Sequence, residues 1–401
     1  LVGSEMCIRD SNTTQQKRKG VKNMKILHLS DLHLGRRLYH HSFLPQQEKM
    51  LEQVVKIAVE QSVQAVLIVG DVYDKNVPAA EAVTVLDSFL TALSEKKIAV
   101  FLISGNHDSA ERLQFASQLL EHQGVYIAGT FSGEMQSYDL EDEYGKVHLC
   151  LLPFVKQAAL SSLYPKENFR SLSDGIAHVI GQTALSEKDR NLLMYHGFVL
   201  HDGTPPEESN SELQLGGTQL VDASVFDAFD YVALGHIHKP QWVRSGKMRY
   251  SGSLMKYSFS ETLQKKSLTL LDWKEKDNLT VTAIPLCPET DMRIIRGKLE
   301  DLLTYAQPSA DWIRAELTDE TLVPYAMERL RAVYPNVLEL EFLSQSERIA
   351  AGITEAEAVP EKSLLELVDS FCSSVYQYEL SEHETAQALM QSICKEAEQT
   401  E

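Results

Sequence analysis

From Met24 onward the chain alternates between two patterns. Short unbroken apolar runs, such as "AVLIV" before Gly70 and "YVAL" before Gly235, are separated by longer stretches whose apolar residues recur every three or four positions. The unbroken runs read as strands buried on both faces, and the recurring pattern reads as amphipathic helices. "KILHLSDLHL" is a predicted strand, and "QQEKMLEQVVKIAVEQS" a helix with Met50, Leu51, Val54, Val55, Ile57 and Ala58 as its apolar positions. "AVLIVGD" is the next strand, "AEAVTVLDSFLTALSEK" the next helix and "IAVFLISGNHD" a third strand; "NLLMYHGF" and "YVALGHIH" repeat the theme. Such alternation predicts an α/β sheet with helices on its faces.

The pattern changes near Pro285. "MRIIRGKLEDLLTYA", "WIRAELTDE" and "PYAMERLRAVYPNVLELEFL" read as a small β-α-β module. "SERIAAGITEAEAVPEK" is a polar linker, followed by two short amphipathic helices, the first with an apolar stripe of Leu364, Leu365, Val368, Phe371 and Val375. The predicted organisation is therefore a main domain over 24–285, a capping domain over 286–345, a linker over 346–362 and a helical tail over 363–401. Residues 1–23 carry no apolar periodicity and no signal-peptide core, and read as a non-native or disordered extension ahead of Met24.

Composition narrows the class. No apolar run reaches the ~18 residues of a membrane span. The five cysteines are odd in number, scattered and never in CxxC spacing, which argues against a disulfide framework or a thiolate zinc site and suits a reducing cytoplasm. The net charge of −19 speaks against a general polyanion-binding surface. It is unevenly placed: residues 351–401 hold eleven acidic and two basic residues, so nearly half of the excess sits in the tail. Phosphates can still bind the main domain locally, where metal ions or basic residues dominate the field.

The candidate chemistry lies at the ends of the predicted strands. Asp31 and His33 follow the first, Asp71 and Asp74 the second, Asn106, His107 and Asp108 the third, and His196, His236 and His238 the later ones. In an open α/β sheet the carboxyl ends of the strands form the rim where ligands bind. Alternate residues of an extended chain share a side, so Asp31 with His33, and His236 with His238, are each expected to present two donor atoms to one place. Two aspartates, four histidines and an amide oxygen form a mixed O/N set without thiolate, which suits Mn, Fe or Zn better than Ca or Mg. One carboxylate between two clusters, most simply Asp71, would bridge a pair of ions. Gly70, Gly105, Gly197 and Gly235 adjoin these residues and permit close backbone approach. Any one of these motifs is usually a turn or a satisfied structural histidine; five strand ends delivering them in order is a constellation.

Taken in order, "DLHLG…GDVYD…GNHD…HG…GHIH" resembles the calcineurin-like metallophosphoesterase superfamily over residues 24–285. "HLSDLHLGRRLYHHSF", "SGNHDSAERL", "ALGHIHKPQ" and "YSGSLMKYSFSE" are similar to its SbcD branch, the nuclease subunits that are bacterial counterparts of the double-strand-break repair nuclease. The resemblance implies a β-sandwich flanked by helices (α/β/β/α), with a small α+β capping domain and a C-terminal helical tail. It also implies two divalent ions, Mn2+ in the first instance. One would be held by Asp31, His33, Asp71 and His238, the other by Asp71, Asn106, His196 and His236. His107 would position the phosphate or protonate the leaving oxygen, oriented by the Asp74 carboxylate. Phosphoprotein phosphatases of the superfamily continue the second motif with Arg-Gly; Lys75 and Asn76 stand here instead, which disfavours that branch.

The implied activity is metal-dependent phosphodiester hydrolysis, exonucleolytic on double-stranded DNA ends and endonucleolytic on single-stranded or hairpin DNA. The implied partner is an SbcC-type coiled-coil ATPase, gripped by the tail, in a heterotetramer built on a nuclease homodimer acting in the cytoplasm on the nucleoid. Basic residues beside the motifs are candidate phosphate contacts: Arg36 and Lys256 foremost, then Arg112 and Lys239. A small-substrate phosphodiesterase or phosphatase explains the metal motifs but not the cap, linker and tail. A non-catalytic DNA-end scaffold would be favoured by broken ligands, and none of the seven is broken.

Overall fold

The computed structural model describes residues 23–210, 212, 219–307, 309–343 and 390. The predicted linker, the predicted tail apart from Met390, and residues 1–22 lie outside the described residues. The chain divides into a unit ending at Glu341 and a second from Phe342 onward, and all the strand-end residues singled out above belong to the first. Among the described residues no helix is long and apolar enough to cross a membrane.

Two six-stranded sheets face each other. The first runs, edge to edge, Leu279–Pro285, Ser267–Trp273, Met24–Leu29, Ala65–Val69, Ala99–Ile103 and Val125–Ala128. Its last four strands are parallel, and Ser267–Trp273 closes antiparallel on Met24–Leu29. The second runs Gln241–Arg244, Met248–Tyr250, Tyr231–Gly235, Arg190–His196, Gly145–Leu152 and Gln136–Asp142. Ala65, Leu67 and Val69 face the opposite sheet, packing in one core with Leu149, Leu192, Met194 and Ala233. Val66 and Ile68 face outward onto the helices Leu44–Glu60 and Ala80–Glu95. The helix Leu172–Gly181 covers the outer face of the second sheet through Ile176 and Val179. The result is the expected α/β/β/α layering. Because each inner strand is covered on both faces, its sequence reads as an unbroken apolar run rather than an alternating one.

Two elements are not legible in the apolar pattern. The hairpin of Gln136–Asp142 and Gly145–Leu152 has an outer strand whose polar residues are half-buried, so it carries little apolar signal. Helix Leu172–Gly181 is announced by a capping box, Ser171 with Asp174, a signal that apolar periodicity does not contain.

The predicted β-α-β module forms its own three-stranded sheet, Met292–Gly297, Trp312–Leu317 and Val337–Phe342, with helices Leu299–Thr304 and Ala326–Arg331. It packs on the main domain through Met292, Trp312 and Leu338 against Phe43, Met255, Tyr257 and Phe259. The Phe43 and Trp312 rings lie 4.4 Å apart.

At the end remote from the strand C-termini, Arg190 ties the two sheets together. Its side chain is buried, with the residue 1% exposed. It donates to Asp142 at 2.6 and 3.0 Å, to the Gly145 carbonyl at 2.7 Å, and across the sandwich to the Trp273 and Lys274 carbonyls at 3.2 and 2.8 Å. Arginine's planar fork suits such a bidentate buried pair. We predict that Arg190→Met, which strands the Asp142 carboxylate, lowers unfolding free energy by ~3–5 kcal/mol in urea titrations followed by circular dichroism. A loss below ~1 kcal/mol would mean the bridge contributes no more than a surface pair.

Candidate metal centre

The parallel strands Met24–Leu29, Ala65–Val69 and Ala99–Ile103 end side by side, and the chain beyond them turns sharply instead of running on. The predicted strand 25–34 stops at Leu29. Asp31, His33 and Asp71 have left-handed backbones, with φ of 53°, 43° and 45°, and His236 has φ 110°. Asp31 and His33 therefore do share a side, but through two left-handed turns rather than through the extended spacing that predicts it. Non-glycine residues in this region cost on the order of 1–3 kcal/mol each and persist only where surroundings fix them.

Those surroundings are hydrogen bonds between loops. Asp31, His33 and Leu34 donate their N–H groups to the carbonyls of Gly70, Asp71 and Val72 at 3.2, 2.9 and 2.9 Å, so the first loop is laced to the second. Asp108 laces the second to the third: its carboxylate accepts from the backbone N–H groups of Val72, Tyr73 and Gly105 at 3.1, 2.9 and 2.9 Å. Gln47, buried on the apolar stripe of helix Leu44–Glu60, donates to the Leu32 and His33 carbonyls at 3.0 and 2.8 Å and accepts from Gly35 N–H at 3.0 Å. Asp31 in turn accepts the His236 N–H on both oxygens at 3.1 Å, joining the two sheets at the rim.

All seven predicted ligands are brought together, in two groups. Asp31, His33 and His238 offer ligand atoms within 4.8 Å of one another, as do Asp71, His196 and His236. Asn106 joins the second group, its Oδ1 lying 3.0 Å from both His196 Nε2 and His236 Nδ1. Asp71 stands between them: the same Oδ2 is 3.4 Å from His196 Nε2 and 3.7 Å from His33 Nε2. The pair His236 and His238 is split, one to each group.

The donor set fits divalent cations. His33 Nε2 and His238 Nε2 face each other at 3.1 Å, while the buried His33 Nδ1 has no hydrogen-bond partner. Burial holds His33 well below the ordinary imidazole range, against the pull of Asp71, and burial with the neighbouring His196 takes His236 down to about 3. Both imidazoles are thus neutral lone-pair donors, the form a metal requires. Burial also acts against His196, but the Asp71 carboxylate outweighs it and lifts this imidazole to about 9. Burial pushes Asp71 up; the imidazoles of His196 and His33 outweigh it and hold Asp71 well below the usual carboxylate range.

His107 and Asp74 lie beside the first group, sharing a 4.8 Å cluster with His33. The expected carboxylate-imidazole contact is replaced by a different one. His107 Nδ1 lies 3.0 Å from the backbone carbonyl of Asp74, while the Asp74 carboxylate accepts from Arg36 at 3.1 Å. The main chain, not the side chain, orients this histidine. His107 N–H also donates to Asp71 Oδ1 at 2.9 Å.

The basic candidates need correction. Arg36 is spent on Asp74 and stacks over the Tyr257 ring at 5.3 Å. Lys256 is buried, with its ammonium 2.8 Å from Asp291 of the capping sheet's edge. Both are internal ties, and a DNA phosphate could engage them only by breaking these pairs. Lys239 is paired with Glu207, and Arg112 is exposed on the short helix Ala110–Gln114. Sequence reasoning also missed Gln47, although a polar residue on an apolar helical stripe was a usable signal. It missed Glu261 and Lys266, both buried and 2.6 Å apart, whose pairing across the loop between the 3-10 turn Phe259–Glu261 and the strand Ser267–Trp273 has no periodicity to betray it. Burial pushes Glu261 up, but Lys266 and His238 outweigh it and hold its carboxyl well below the usual range.

Comparison with known proteins places the chain in a family. The calcineurin-like phosphoesterase family matches residues 24–240, and the family described as type 5 capsule protein repressor C-terminal domain matches residues 288–376. The chain is 30% identical over 321 residues to the SbcD subunit of the nuclease SbcCD of Staphylococcus epidermidis, covering 79% of this chain and 85% of the relative. Among solved structures, a dimetal phosphatase from Danio rerio is 13% identical, covers 66% of this chain and 96% of its own, and superposes with a TM-score of 0.37. TT1561 of Thermus thermophilus is 13% identical, covers 65% of this chain and 99% of its own, and gives 0.39.

Two glycines let this packing exist. A Cβ on Gly105 would sit 2.1 Å from Asp71 Oδ1, and one on Gly70, whose φ is +76°, would sit 2.1 Å from His196 Nδ1. We predict that Gly105→Ala displaces Asp71 and weakens Mn2+ binding by at least ~10-fold in calorimetric titration, with the fold retained. Unchanged affinity would show that Asp71 is not where the ions meet.

Proposed function

The chain belongs to the calcineurin-like phosphoesterases as a homologue of the SbcD nuclease subunit, a metal-dependent phosphodiester hydrolase, and from this premise we propose that it cuts DNA with two divalent ions sharing Asp71. The single observation that carries this reading is the position of Asp71 Oδ2 within 3.7 Å of imidazoles from both donor groups. Asp31, His33, Asp71 and His238 would hold one ion, and Asp71, Asn106, His196 and His236 the other. Mn2+ suits the mixed carboxylate, amide and imidazole set. When bound, the ions supply positive charge that polarises both the phosphoryl group and a water nucleophile.

The chain's own residues do the rest. His196 Nδ1 donates to the Val69 carbonyl at 2.9 Å, which turns Nε2 toward Asn106 and Asp71 as the nitrogen that would release its proton to take an ion. His107 Nδ1 likewise bears the hydrogen facing the Asp74 carbonyl, so Nε2 is the titrating atom: as the imidazolium the ring passes its Nε2 proton to the leaving oxygen and keeps the hydrogen on Nδ1. Arg36 anchors the loop that carries Asp74. Arg112 remains as an exposed phosphate contact. The protein works as the nuclease subunit of an SbcCD-type complex with an SbcC-type ATPase, in the cytoplasm on DNA ends and hairpins.

We predict that His107→Ala keeps two Mn2+ per chain while cleavage of a blunt duplex, assayed with the ATPase and ATP, falls by ~10²–10⁴-fold. Cleavage at the wild-type rate would remove His107 from the chemistry. EDTA treatment abolishes cleavage, and Mn2+ restores it.

A further inference from the structure

Behind His238, away from Asp31 and His33, lies a polar cluster built on a buried ion pair that phosphoester hydrolysis does not itself require. Glu261 is 0% exposed and Lys266 5%. Glu261 Oε1 lies 3.3 Å from His238 Nδ1 and accepts from Ser209 Oγ at 3.2 Å; its Oε2 accepts from the Lys266 ammonium at 2.6 Å. Lys266 also reaches the His238 carbonyl at 2.8 Å, Ser253 Oγ at 2.9 Å and Gln264 Oε1 at 2.7 Å. Glu212 accepts the His238 N–H at 2.6 Å, so the histidine is held by main chain and ring alike. A buried ion pair of this kind contributes little net stability, and hydrophobic replacements are often as stable. Its use is more readily found in what it fixes.

Resting on the two-ion reading above, we infer that Glu261, anchored by Lys266, is the positioning residue that keeps the hydrogen of His238 on Nδ1. An ionised carboxylate can only accept, so Nδ1 must donate, and Nε2 is left as the lone-pair atom turned to His33. His33, by contrast, has a buried Nδ1 with no hydrogen-bond partner: Asp74 Oδ1 stands 3.7 Å away, beyond hydrogen-bond reach, and is engaged by Arg36. Of the two imidazoles in this group, His238 alone is oriented from behind by a hydrogen-bonded carboxylate. Glu261 therefore sets the affinity of the Asp31, His33 and His238 group without touching the Asn106, His196 and His236 group. Carboxylates behind ligating histidines contribute ~10–100-fold in metal affinity.

The test uses the full chain and two double variants that both remove the buried charges. Glu261→Leu with Lys266→Met removes the Glu261 carboxylate from His238 Nδ1; Glu261→Gln with Lys266→Met keeps an amide oxygen free to turn to it. Mn2+ calorimetry on the wild type should show two ions. The Leu/Met variant should lose ~10–100-fold at one ion only, and the Gln/Met variant should recover most of that loss. Equal, wild-type affinities in both folded variants overturn the inference, as does equal weakening of both ions. If the Leu/Met variant does not fold, the 15N histidine spectrum of the metal-free wild type decides: His238 protonated on Nδ1 supports the assignment, and protonation on Nε2 overturns it. A wild type binding fewer than two ions overturns the parent reading and this inference with it. Two ions with both variants unaffected overturns this inference alone.

Discussion

A carboxylate buried among imidazoles, with one oxygen turned to two separate groups of them, is the contact on which the structure rests. Asp71 is 2% exposed, and desolvation alone would neutralise it. It stays ionised because His196 and His33 stand on either side and His107 N–H caps its other oxygen. That requirement propagates outward. The third loop must come close enough to Asp71 for His107 to donate, which only glycine at 105 permits; the second must turn left-handed at Asp71, which the lacing to Asp31, His33 and Asp108 enforces.

The sandwich explains why such a site can exist at all. Parallel strands covered on both faces end at a common rim, so loops distant in sequence arrive together without any of them being long. The rim is then sealed from both directions. Gln47 reaches it from the first helical layer, Tyr257 from beneath the capping sheet, and Glu261 and Lys266 from the loop that follows the Met248–Tyr250 strand. Tyr257 OH bonds both Gln47 and the Leu32 carbonyl, so packing of Trp312 on Phe43 and Tyr257 is connected to the loop carrying Asp31 and His33. The three-stranded module thus buttresses the candidate metal centre through its contacts with Phe43 and Tyr257. Excess acidity is densest in residues 351–401, but the segment that carries the donors is also net negative, so attraction of a phosphate there depends on the cations and not on the surrounding charge.

Much of this was legible before any coordinates. Unbroken runs such as Ala65–Val69 betray strands with two covered faces, and the seven donors stand at strand ends because that is where an α/β sheet presents them. The fine geometry was not legible, for identifiable reasons. Left-handed residues at Asp31 and His33 break the period on which the spacing argument relies, yet bring the side chains to the same place. The ionic partners of Arg36 and Lys256 come from Asp74 and Asp291, and no local pattern distinguishes a cation turned inward from one in solvent. The Gln136–Asp142 strand is polar on its outer face and gives no apolar run. Glu261 and Lys266 look like surface residues because charge is usually solvated, and only the fold reveals both as buried.

The most direct measurement is anomalous diffraction from a crystal of the protein grown or soaked with Mn2+. The account predicts two anomalous peaks ~3.5–4 Å apart with the Asp71 carboxylate between them, one peak against His33 and His238 and the other against His196 and His236. A single peak, or two peaks that do not share Asp71, would contradict it.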